Sequence, residues 1–135
     1  MAETSVTRTI DRDAGAVWAL LADFGDVGWI PVAENVVVEG EGVGMYRQIP
    51  MGDGDPVIET LVAIDHDARV LTYSLENSPF PVSSYLAVCT VSDAADGATV
   101  EWVVTFEPTG EEAEAAGGIQ MIYDLMAGWI ADATA

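Results

Sequence analysis

Between residues 36 and 107 the chain offers six successive strand-like runs with no helical pattern among them, and a single long amphipathic segment follows. The runs are Val36–Glu41, Met45–Pro50, Val57–Ile64, Val70–Asn77, Ser83–Ser92 and Thr99–Glu107. They are rich in β-branched and aromatic residues. Turn chemistry separates them at hairpin spacing: Gly42, Met51-Gly52-Asp53-Gly54-Asp55, Asp65-His66-Asp67-Ala68, Ser78-Pro79-Phe80-Pro81 and Asp93-Ala94-Ala95-Asp96-Gly97. Consecutive hairpins fold as spatial neighbours, so this is one antiparallel meander.

Upstream, Ser5–Ile10 alternates as a further strand, and Asp11 or Asp13 then supplies a helix N-cap. Val17, Leu20, Leu21 and Phe24 fall on one helical stripe that Gly25 closes. A short irregular or helical piece, Asp26 to Ala33, carries Trp29-Ile30-Pro31. The last helix starts near Glu111, where Glu111, Glu112 and Glu114 suit its N-terminal dipole. Its stripe is Ile119, Ile122, Tyr123, Met126 and Ile130, with Trp129 at the edge. The expected fold is α+β in the order β-α-α-β6-α, one domain over residues 1–135. A seven-stranded antiparallel curved sheet wraps around the C-terminal helix. Its apolar face needs a cover, and one helix is too narrow to fill it, which predicts a cavity between them.

Hairpin arithmetic gives the register. A turn centred on Asp53 sets Arg47 opposite Glu59; one centred on residue 67 sets Leu61 opposite Tyr73; one centred on Pro79 sets Tyr73 opposite Tyr85. Opposed residues share a face. Arg47, Glu59, Leu61, Tyr73 and Tyr85 therefore lie together, with Met45, Ile49, Val57, Leu71 and Leu75. The alternate positions of the fourth strand, Ile58, Thr60, Val62 and Ile64, are nearly as apolar, and a one-residue slip would exchange the faces.

Charge narrows the function. Four arginines stand against 23 Asp+Glu, a net charge of −19. Such a surface repels phosphate backbones and anionic leaflets, so neither nucleic acid nor membrane is an expected partner. Half the chain is apolar, which sets it apart from charged, disordered sequences. Met1-Ala2-Glu3-Thr4 carries no signal-peptide pattern, and no apolar run approaches the ~18–20 residues of a membrane span. A cytoplasmic location is expected, as monomer or homodimer. Cys89 is the only cysteine; it reads as a small buried hydrophobe, since no histidine pairs with it. His66 between two acids, and Asp53 and Asp55 around Gly54, read as turn residues, without the spacing of a calcium loop. No metal or cofactor is expected.

The order of elements resembles the helix-grip fold of the START-like, Bet v 1-like (SRPBCC) superfamily. The local words are similar to those of polyketide cyclase/dehydrase proteins and, more distantly, plant abscisic-acid receptors. They are Val17-Trp18-Ala19-Leu20-Leu21-Ala22-Asp23-Phe24-Gly25, Trp29-Ile30-Pro31, Glu39 through Arg47, Glu59-Thr60-Leu61, Leu71-Thr72-Tyr73, Pro81 through Tyr85, and Glu101-Trp102 through Phe106-Glu107-Pro108. The resemblance implies that Glu59, Tyr85, Arg47 and Glu101 line a ligand cavity, with gating loops at Pro50–Asp55 and Ser78–Pro81. It turns Glu101 inward, whereas hydropathy prefers Trp102, Val104 and Phe106; a bulge would reconcile the two.

Two functions fit these residues. Arg47 and Glu59 are either a solvent-face pair worth ~0–1 kcal/mol or a pair inside the cavity, where the arginine is a fork for a carboxylate, carbonyl or enolate. The first function is binding of a hydrophobic small molecule, polyketide-, lipid- or terpenoid-like. Arg47, Glu59, Tyr73, Tyr85 and Glu101 would meet its polar end, and Leu61, Trp29, Trp102, Ile122 and Met126 its apolar body. The second is a cyclase/dehydratase, or a related lyase or isomerase. There Glu59 is the general base, Arg47 or Tyr85 stabilises the oxyanion, and Glu101 is the fallback base.

Overall fold

A computed structural model describes residues 2–31, 35–50, 55–77 and 80–135. Strand β1 (Ala2–Ile10) leads into helix α1 (Ala14–Ala22). Strands β2 (Val37–Glu39), β3 (Tyr46–Ile49), β4 (Val57–Asp65), β5 (Val70–Glu76), β6 (Val82–Ala94) and β7 (Gly97–Pro108) follow, and helix α2 (Glu112–Ala133) ends the chain. The seven strands form one antiparallel sheet in the order β1-β7-β6-β5-β4-β3-β2. It is a meander in which β1 returns to pair with β7 along its whole length, Ala2 opposite Phe106 and Ile10 opposite Ala98. Helix α2 lies against β1 and β7, and α1 against β6 and β7.

Strict alternation decides which face is covered. Along β7, Ala98, Val100, Trp102, Val104 and Phe106 are buried, while Glu101 and Glu107 are exposed. Ala87, Cys89 and Val91 continue the inner face on β6, and Leu71 and Tyr73 continue it on β5. The conflict over the last strand is thus resolved for hydropathy. The β6–β7 ladder runs without a shift from Ser84↔Glu107 to Ala94↔Gly97, so no bulge reverses the faces near residue 101. Glu101 points outward. Turning it in would bring Trp102, 1% exposed, into water.

The segment after α1 is also a correction. Residues 26–31 form successive turns and not a second helix, with Val32 and Ala33 outside the described residues. Asp26 caps its own turn, its Oδ1 accepting from Gly28 N at 3.0 Å, and Pro31 cannot continue a helical ladder. Helix α1 starts where Asp13 Oδ2 accepts from Ala16 N at 3.0 Å, the usual N-cap geometry. It buries Ala14, Val17, Trp18 and Leu21. Trp18 thus replaces Leu20 in the expected stripe, and its ring meets His66 edge-on at 5.7 Å.

The register matches expectation in two of three hairpins. Arg47 lies opposite Glu59, and Leu61 opposite Tyr73; an irregularity between Leu61 and Ala63 follows. Tyr73 faces Ala87, not Tyr85. That two-residue offset keeps Tyr85 on the same face, because side chains repeat every second position. The turns expected at Gly52–Gly54 and Pro79 lie outside the described residues.

Candidate functional site

The sheet curves away from α2 at its β3–β5 end and leaves a cavity of about 380 Å³ there. Its walls are mostly aliphatic: Ile49, Val57 and Leu75 from the strands, Ile122 and Met126 from α2. Five polar side chains interrupt them: Arg47, Glu59, Tyr73, Tyr85 and Tyr123.

Arg47 is 6% exposed, and the fold supports its charge three ways. Nε donates to Glu59 Oε1 at 2.8 Å, Nη1 donates to the Phe24 carbonyl at 2.8 Å, and the guanidinium carbon sits 4.1 Å from the centre of the Phe24 ring. The carbonyl at the α1 exit and the ring face are both electron-rich partners for a cation. Two of its five N–H groups are engaged in this way. The second oxygen of Glu59 has no hydrogen-bond partner among the described residues. The pair is therefore an inward one, not a solvent-face contact.

The three tyrosines form a connected group. Tyr73 Oη and Tyr85 Oη each lie 2.5 Å from Tyr123 Oη. Two hydrogen bonds use two of the three phenolic protons, so one O–H remains over. Burial pushes Tyr73 well above the ordinary phenol value, and repulsion from Tyr85, once that phenol ionises, and from Glu59 acts in the same direction. Burial raises Tyr123 in the same sense, reinforced by its two phenol neighbours. Burial also raises Tyr85, opposed by the Tyr123 hydrogen bond and assisted by Glu59. All three are neutral donors at physiological pH. Tyr123 in turn stacks on Trp102 at 4.9 Å, and Phe80 stacks on Tyr85 at 6.2 Å.

Of the residues singled out in the sequence, Arg47, Glu59, Tyr73, Tyr85, Ile122 and Met126 line this cavity. Trp29 and Trp102 instead border a second, much smaller space of about 20 Å³ behind Arg47 and Tyr73. Trp29 is held there by Nε1 donating to the Asp26 carbonyl at 3.1 Å. Leu61 is packed in the core at 2% exposure. Glu101, on the outer face of the sheet, lines neither space. Tyr123 reads from the sequence as core first, and at most as part of the cavity wall; the structure makes it a wall residue that also joins the other two phenols. Its signal was a hydroxyl on an otherwise apolar helical stripe, which must find a partner once buried. Met121 and Leu125, 66% and 49% exposed, border the opening and break no sequence rule. The gating loops expected at Pro50–Asp55 and Ser78–Pro81 fall largely outside the described residues.

Cys89 is 1% exposed, and burial pushes its thiol up to about 12, which disfavours the thiolate a nucleophile needs. Among the described residues no group of three or more His, Cys, Asp or Glu side chains gathers to hold a metal. Among the described residues no helix is long and apolar enough to cross a membrane.

Comparison with known proteins places this geometry. The family model for polyketide cyclase / dehydrase and lipid transport proteins matches residues 1–132. The protein XoxI from Bacillus cereus is 30% identical with a TM-score of 0.85, covering 99% of this chain and 96% of its own. An uncharacterized protein from Bacillus thuringiensis is 28% identical at TM-score 0.83, covering 98% of each chain. Norcoclaurine synthase from Thalictrum flavum is 15% identical at TM-score 0.77, covering 97% of this chain and 84% of its own, and shares the fold. No curated protein matches. With a sheet gripping its last helix around an open cavity, and a family model matched from end to end, the chain belongs to the polyketide cyclase / dehydrase and lipid transport family.

Proposed function

We propose that this protein binds a hydrophobic small molecule with one polar end, its body against the aliphatic wall and its polar end toward Arg47, Glu59 and the tyrosines. The observation that carries this reading is a cavity of about 380 Å³ whose polar groups converge while the remaining wall is apolar. That is the usual composition of a ligand site, and its size is at the small end of the range such sites occupy. The family description, which includes lipid transport, supports the same reading.

A second reading is catalysis of the cyclase, dehydratase, lyase or isomerase kind. The uncommitted oxygen of Glu59 favours it, because a base must present a lone pair to the substrate. Arg47 or the spare phenolic O–H would then stabilise the enolate.

Native mass spectrometry of the purified protein tests the first reading: a retained small molecule is expected, or uptake of an added polycyclic guest in one-to-one ratio. Absence of both sinks it. Glu59→Gln separates the two readings. Retained binding with turnover down about a hundredfold or more supports catalysis, and binding with no turnover of any candidate supports carriage.

A further inference from the structure

The polar end of the cavity contains a full cation and a full anion, already in contact. Arg47 and Glu59 are bonded at 2.8 Å, with side chains 7% and 13% exposed, so their charges cancel locally. The nearest remaining polar groups are three phenols that burial keeps protonated. An anionic guest arriving here would face an arginine whose charge is matched, a carboxylate of its own sign on the same wall, and a chain carrying −19 overall. A buried unmatched charge is costly unless it is paired.

The donors and acceptors left over are specific. Three guanidinium N–H groups and one phenolic O–H remain to donate, and one Glu59 oxygen remains to accept. A guest that satisfies both sides presents an acceptor and a donor close together and carries no charge.

Resting on the binding reading above, we propose that the cavity selects uncharged guests whose polar end combines a carbonyl with a neighbouring hydroxyl, as in hydroxyaryl ketones, and rejects carboxylates of the same size. The carbonyl oxygen accepts from Arg47 and the spare phenol. The hydroxyl exchanges its internal hydrogen bond to the ketone for a charge-assisted one to the second oxygen of Glu59. The apolar wall, with Ile49, Val57, Leu75, Ile122 and Met126, takes the ring system.

The probes are an acetylnaphthol and a naphthoate, which share one ring system and differ in the head group. Calorimetric titration of the intact protein at neutral pH is expected to give at least tenfold tighter binding of the acetylnaphthol, about 1.4 kcal/mol. A smaller or reversed difference overturns the head-group assignment while leaving a guest-binding cavity in place. Binding of neither probe, nor of naphthalene itself, overturns the binding reading beneath it. Glu59→Gln provides an independent arm: it frees the Arg47 charge, so the naphthoate should gain at least tenfold relative to the acetylnaphthol, and an unchanged ratio counts against the proposal. The wild-type comparison stands even where that variant folds poorly.

Discussion

Arg47 and Glu59 are the residues where a single change has the largest electrostatic consequence. Each is nearly out of water, so deleting one leaves the other as a buried, unmatched charge. Arg47→Met is expected to lower stability by about 3–5 kcal/mol, whereas Arg47→Met combined with Glu59→Leu should cost clearly less than that single change. Urea unfolding of the singles and the double closes the cycle; additive losses would show that the pair is solvated. This pairing was readable from the sequence because a hairpin turn fixes its flanking register arithmetically, and Arg47 does lie opposite Glu59. Tyr85 was placed on the correct face but against the wrong neighbour, since a two-residue offset preserves the face and changes the partner. Glu101 misled for a different reason. A motif carried over from relatives says nothing about a continuous alternation, and in β7 the alternation prevails. Tyr73 and Tyr85 were legible as sharing a face, but their link to Tyr123 was not, because α2 brings that residue in from 50 and 38 residues away in sequence.

At the level of elements, α2 shows how a cavity wall and a helix place opposite demands on one glycine pair. A methyl group added at Gly117 meets nothing within 4 Å, while at Gly118 it comes 3.1 Å from Phe80 Cδ1. Gly117→Ala is therefore expected to stabilise by about 0.5–1 kcal/mol through helix propensity alone. Gly118→Ala should gain less or lose, since Phe80, stacked on Tyr85, must give way. Equal gains in chemical denaturation would show that Phe80 is not held against the helix. Gly97 is stricter. Its φ is +145°, and a Cβ there would lie 2.3 Å from the Ile10 carbonyl oxygen, so the tight β6–β7 turn beneath β1 admits no side chain. The strands themselves were legible within a few residues, because alternation between turn signals is a strong local pattern. The expected short helix after α1 was not, since side-chain capping by Asp26 and the ring of Pro31 act within a few residues and favour turns.

For the whole molecule, the buried phenols set an upper limit on pH. Three of the four tyrosines have values raised chiefly by burial, above an unfolded value near 10. Below that value folded and unfolded chains both keep the protons, and stability is complete. As pH rises past it, the unfolded chain releases protons that the folded chain retains, and stability falls by up to ~1.4 kcal/mol per pH unit for each tyrosine. The Cys89 thiol, pushed up to about 12, adds to the loss in the same direction. Alkaline titration followed by phenolate absorbance and circular dichroism together should show three phenolates emerging in one cooperative step with unfolding. Gradual ionisation of all four with the dichroism intact would refute the buried hub. Tyr46 behaves apart, its hydroxyl donating to Glu39 at 2.6 Å near the surface, which delays its own ionisation.

The stack of Trp102 on Tyr123, together with Trp129 on the cavity wall, gives the molecule its own optical gauge. One indole lies behind the phenol that ties the polar end together, and another borders the space a guest would fill. A guest bound as proposed would alter the surroundings of two emitters at once, so that ultraviolet fluorescence of the unlabelled protein would register its loading.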